Sequence, residues 1–261
     1  MAATDISFNG YDLQNASFRT RIIQHTNIPS KLIQAEARAR ADGLTIVNVR
    51  YSSRTIEVEG LLSAATRDAA VALIDQMKLN LNGAFGTLLI DYGTTSQRMY
   101  LATVDSLEMP EDFFNISAIP YKISFFCADP FGYATASGNL SISNITAMLN
   151  DTLITMSGSI DSDPVVRLTL TTAVNMSLLT ISNENTGEVI IVSKPGGNFS
   201  NGDVVVINTR LKQAQVNGSG IDYTGRFPTL RADGTVQRLR VAIQATSVNY
   251  NEVITYSPRY L

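Results

Sequence analysis

From Asn139 to the last residue the sequence offers no helical period, only short runs rich in β-branched and aromatic residues, and this limits the second half to an all-β architecture. The runs are 140–145, 165–170, 178–182, 189–193, 204–208, 239–245 and 253–256, separated by turn signals at Asn185-Thr-Gly187, Pro195-Gly-Gly197, Asn201-Gly202 and Asn217-Gly218. Many short strands with such turns predict a sandwich or jelly roll.

The first half reads differently. Leu44–Tyr51 and Arg54–Leu61 are two β-rich runs around Ser52-Ser53, which predicts a hairpin. In the second run Ile56, Val58 and Gly60 share one face and Glu57 and Glu59 the other, the pattern of a strand buried on one side. Upstream, residues 35–43 alternate small and charged side chains with period two, so this stretch is extended and turns at Asp42-Gly43. One helix follows, with Ser63 or Thr66 as N-cap, Asp68 in its first turn and Gly83 past its end. Ala70, Ile74, Met77 and Leu81 form its apolar stripe, leaving Arg67, Asp75 and Lys78 for water. Strands at 87–92, 98–107 and 116–127 complete an α+β domain of ββαβββ order. The Pro- and Gly-bearing segment 128–138 marks the boundary, giving domains 1–133 and 134–261 in a mainly β protein.

Chemistry is sparse. The single histidine, His25, excludes a multi-histidine metal site, and nothing around it supports a catalytic triad, so a structural or solvated role is expected. Glu57 and Glu59 are the only carboxylate pair of interest, and a solvated or ion-paired strand face accounts for them better than glycosidase chemistry. The lone Cys127 lies in Ile-Ser-Phe-Phe-Cys-Ala and reads as a small buried hydrophobe. The glycine stretches lack the pattern of a phosphate loop. No catalytic residue, metal or cofactor is expected.

The net charge is −3, and residues 1–133 carry 11 Lys and Arg against 14 Asp and Glu, while residues 134–261 carry 9 against 9. Stable nucleic-acid binding is therefore not expected. No apolar run approaches the roughly 20 residues that span a bilayer, and the start has neither a basic nor an apolar leader region, so folding in a cytoplasm is expected.

Several phrases occur in collinear order: Phe8-Asn-Gly-Tyr-Asp-Leu13, Ala37-Arg-Ala-Arg-Ala-Asp-Gly43, Val49-Arg-Tyr51, Arg54–Gly60 and the helix, Arg98–Ala102, and Phe125–Gly132. In the second half they continue with Asn185–Gly187, Gly202–Asn208, Val216–Gly218, Phe227–Leu230 and Tyr256–Leu261. Taken together the chain resembles the distal tail protein family of siphophages. That resemblance implies a C-terminal galectin-like sandwich and a hexameric ring formed through the N-terminal domains at the virion tail tip. Its implied partners are the tail tube protein, a tail-tip protein and receptor-binding or adhesion proteins, with DNA passing through the ring. The acidic loop holding Glu108, Glu111 and Asp112 is then the candidate lumen-facing element. The alternative is a module that binds host cell-wall carbohydrate, with Tyr223 and Tyr250 as the rings on which a sugar would stack. A β-sandwich enzyme is a third reading, and the missing acid/base constellation argues against it.

Overall fold

The computed structural model describes residues 5–24, 28–38, 42–82, 85–93, 97–110 and 115–261. The chain divides into two compact units, Met1–Thr135 and Ala136–Tyr260. The first contains β1 (Asp5–Phe8), β2 (Tyr11–Asp12), β3 (Phe18–Gln24), β4 (Lys31–Ala37), β5 (Leu44–Tyr51), β6 (Arg54–Leu62), α1 (Arg67–Leu81), β7 (Gly86–Asp91), β8 (Gln97–Glu108), β9 (Ile119–Cys127) and β10 (Gly132–Tyr133). The second contains β11 (Gly138–Ile145), β12 (Leu149–Thr155), β13 (Val165–Val174), β14 (Leu178–Asn183), β15 (Glu188–Ser193), β16 (Val204–Asn208), β17 (Gln213–Val216), β18 (Ser219–Gly220), β19 (Asp222–Gly225), β20 (Val236–Gln244), β21 (Ser247–Tyr256) and β22 (Arg259–Tyr260). Among the described residues the protein is thus mainly β with one helix, as expected.

In the first unit the strands run β2-β1-β7-β8-β9-β6-β3, with antiparallel neighbours. Asn9 and Gly10 both have positive φ (51° and 80°), and this Asn-Gly pair makes the two-residue turn between β1 and β2. The Asn9 carboxamide also accepts the Thr87 N–H at 2.8 Å and lies where a Cβ on Gly86 would be, so that strand start admits only glycine. Strand β8 serves two ladders: residues 97–102 pair with β7, and residues 103–108 with β9 across a register shift between Val104 and Ser106. Helix α1 is capped by the Thr66 hydroxyl, which accepts the Ala69 N–H, and Asp68 sits in its first turn. Ala70, Met77 and Leu81 enter one core with Phe8, Ile56, Val58, Ile90, Tyr100, Ile123 and Phe125. Gly83 lies outside the described residues.

The expected hairpin of residues 44–51 with 54–61 does not form. Strand β5 pairs with β4, and β6 joins the main sheet between β3 and β9. The turn chemistry explains the exchange. Gly43 supplies the positive φ (96°) that reverses the chain between β4 and β5, whereas Ser52-Ser53 has no such residue, and the Ser52 N–H instead bonds the Ser30 carbonyl, extending the β4–β5 ladder. Strand β6, apolar on one face only, belongs in a sheet with one wet side.

The second unit is a sandwich of a six-stranded sheet, β11-β21-β13-β16-β17-β18, and a five-stranded sheet, β12-β20-β14-β15-β19. Alternate residues of both sheets meet in one core: Val166, Leu168 and Leu170 from β13, Tyr250 and Ile254 from β21, Leu239, Val241 and Ile243 from β20. The turns predicted from Gly187, Gly196, Gly202 and Gly218 all show positive φ.

Candidate functional site

Three surfaces concentrate side chains that the two cores do not use. The first is the β4–β5 arm. Among the described residues neither strand pairs with anything but the other. Leu32 and Ile33 on β4, and Leu44, Ile46, Val47 and Val49 on β5, are exposed, from 47 % at Val49 to 65 % at Leu32. Neighbouring residues on a strand point to opposite faces, so Ile46 and Val47 make both faces of the arm apolar. At its base Tyr51 packs edge-on against Phe131 at 5.3 Å, and the Lys31 ammonium stands 5.2 Å from the Tyr51 ring.

The second is the wet face of the main sheet. Arg21, Glu59, Lys122 and Glu108 are successive cross-strand neighbours on β3, β6, β9 and β8, a row of alternating charge. Arg21 bonds Glu59 at 3.0 Å, and Lys122 bonds Glu57 at 3.2 Å. Glu57 and Glu59 are therefore ion-paired, as their strand position suggested. The row borders a groove of about 820 Å³ floored by Leu61, Met109, Pro110 and Pro120. Of the candidate lumen-facing acids, Glu108 stands in register with Lys122, while Glu111 and Asp112 lie outside the described residues.

The third is the outer face of the five-stranded sheet. Leu149 and Leu153 on the edge strand β12, and Val236, Val189 and Ile191 beside them, are exposed around Arg240, which bonds Asp151 at 2.7 Å and Glu184 at 3.1 Å. The two aromatic candidates for sugar stacking part company. Tyr223 is 43 % exposed, packed edge-on against Phe227 with its hydroxyl donating to the Lys212 carbonyl. Tyr250 is wholly buried in the sandwich core and offers no ring face to a ligand. The inward parity of β21 puts it there.

Among the described residues no arrangement for covalent chemistry appears. The Cys127 thiol is buried, and burial pushes its pKa up to about 12, which keeps it protonated and inert. His25 lies outside the described residues, and among the described residues no three His, Cys, Asp or Glu cluster for a metal. Two features escaped the sequence reading. The arm's uncovered apolar faces were signalled by Ile46, Val47 and Val49, which place aliphatic side chains on both faces of β5. The buried Glu252 was signalled by its parity, since it shares a face with Val248, Tyr250 and Ile254.

Residues 157–260 match the model of a family described as siphovirus-type tail component, C-terminal domain. That match lies wholly within the C-terminal unit and spans less than half of the chain. Over the whole length the fold is similar to that of the solved SPP1 Dit protein, described as a paradigm of the hub adsorption apparatus in Gram-positive-infecting phages. The TM-score is 0.66, with 12 % identity over 98 % of this chain and 99 % of that one. Chains of the phage P2 baseplate in its activated conformation, with calcium and with strontium, align at a TM-score of 0.45 and 12 % identity over 98 % of both chains. No curated protein sequence matches. The resemblance to the distal tail protein family drawn from the sequence is borne out by the family match in the C-terminal unit and by the fold of the whole chain.

Proposed function

We propose that this tail component is a structural hub without enzymatic activity: copies join through residues 1–133 into a hexameric ring at the tail tip, between the tail tube and the baseplate or adhesion device. The β4–β5 arm is the observation that carries this reading. Six exposed aliphatic side chains on a hairpin that pairs with no other strand among the described residues give a lone copy no stability, and a neighbouring copy would bury them. The ring leaves a passage for DNA, with the segment around Glu108, Glu111 and Asp112 toward the lumen. The charge row supports a wall that neither holds nor strongly repels phosphate, because Glu108 faces Lys122 and Glu59 faces Arg21. The outer face of the five-stranded sheet, apolar around a paired Arg240, suits docking of adhesion proteins in the virion after assembly in the host cytoplasm. The alternative of a carbohydrate-binding module retains only Tyr223 of its two stacking rings.

Native mass spectrometry of the full chain, alone and with the tube protein, tests the reading. A ring-sized species is expected, and monomer under both conditions overturns it. Sub-micromolar DNA binding at low salt would overturn the inert passage.

A further inference from the structure

Strand β21 turns Val248, Tyr250, Glu252 and Ile254 into the sandwich, and all four are buried. Three of these suit a core, and the fourth is a carboxyl group with no exposed surface at all. Glu252 Oε2 accepts the Asn150 side-chain N–H at 2.8 Å and the Thr152 hydroxyl at 3.2 Å. Both donors stand on β12, the edge strand of the opposite sheet, so this carboxyl spans the sandwich. Its register neighbours Ile142 on β11 and Leu168 on β13 are apolar, and Thr152 pairs with Leu239 on β20. Asp151 is held at the surface by Arg240, which leaves Tyr250, on the same strand, as the titratable group that feels the Glu252 charge. Glu252 Oε1 and the Tyr250 hydroxyl are buried without a hydrogen-bond partner.

We propose that Glu252 is a proton-operated latch between the two sheets: as a neutral carboxyl it keeps β12 closed on β21, and on losing its proton it frees the β12 edge. A charged carboxylate in an apolar interior requires hydration that two neutral donors do not replace. Water reaches it most cheaply by displacing β12, since that strand is tied by one ladder only, to β20. Burial holds the carboxyl pKa above the ordinary glutamate value, against the opposite pull of the Thr152 and Asn150 hydrogen bonds. The sign follows. Protonation favours the folded state, so the latch is closed below the unfolded glutamate pKa of about 4.3 and opens as pH rises through the higher folded value.

Hydrogen exchange of the full chain across acidic to mildly alkaline pH, with the intrinsic pH dependence divided out, reads the latch directly. Protection of the Leu149–Thr155 amides falls about tenfold or more with rising pH, while the central strand β14 keeps its protection. In Glu252→Gln the β12 protection is flat with pH. Infrared spectra of the wild-type chain lose a protonated-carboxyl stretch over the same range, and the Gln variant lacks that band. Thr152→Val removes a bond that favours the charged form and moves the midpoint to higher pH. Flat β12 protection in the wild type, or an unchanged pH response in Glu252→Gln, overturns the latch and leaves the hub reading untouched.

Discussion

The Tyr121 ring lies so close over Gly60 that a Cβ added to the glycine would sit 2.3 Å from the phenol. The ring cannot swing clear, because its hydroxyl shares a 2.5 Å hydrogen bond with Thr20, whose hydroxyl also donates to the Leu13 carbonyl. Overpacking of this kind costs about 1–3 kcal/mol. Gly60→Ala is expected to lower the thermal midpoint of unfolding, and a midpoint equal to that of the wild type would show that the contact yields freely.

The arm separates assembly from folding. Ile46→Ser with Val49→Ser removes apolar surface that the monomer leaves in water, so unfolding by urea should change by no more than about 0.5 kcal/mol. Ring formation, followed by light scattering, should be lost in the same variant. A marked loss of monomer stability would mean that the arm packs on its own chain in solution.

Asp203 organises the turn before β16. Burial raises its pKa, but the Lys194 ammonium at 2.7 Å, the Ser200 N–H and the Asn217 amide outweigh burial and hold the carboxyl below the ordinary aspartate range. A depressed carboxyl gives stability above the unfolded pKa of about 3.9 and loses it as pH falls through the folded value. Acidification from pH 7 to pH 3 should therefore destabilise the wild type more than Asp203→Asn. At pH 7 that variant should already be weaker by about 1–3 kcal/mol, as measured by calorimetry.

Cys127 supplies a probe of unfolding. Its thiol is buried and its pKa is pushed up to about 12, so an aromatic disulfide reagent should modify it no faster than the N-terminal unit opens. Rapid labelling at neutral pH in the absence of denaturant would contradict the packing around β9.

What the sequence disclosed follows the reach of its signals. Helix α1 was legible because Thr66, Asp68 and the stripe from Ala70 to Leu81 act within a few residues of one another. The turns at Gly187, Gly202 and Gly218 were legible because a positive φ is a property of the residue itself. Pairing is not local. The run Leu44–Tyr51 reads as a strand whichever neighbour it takes, and the choice of β4 over β6 lies in the contrast between Gly43 and Ser52-Ser53. Tyr250 and Glu252 became interior residues only through the parity of β21, fixed by pairing with β11 and β13 over a hundred or so residues of separation for β11. The row from Arg21 to Glu108 joins four strands, and no window of sequence contains it.

Strand β8 belongs to two ladders at once. Its first half is bonded along β7 and its second half along β9, so one continuous backbone from Gln97 to Glu108 splices two ladders. A pull along its axis loads many hydrogen bonds in parallel, as shear, where a pull across it would open them one after another. A strand built this way passes a tug on one end to the far ladder along a single stretch of backbone.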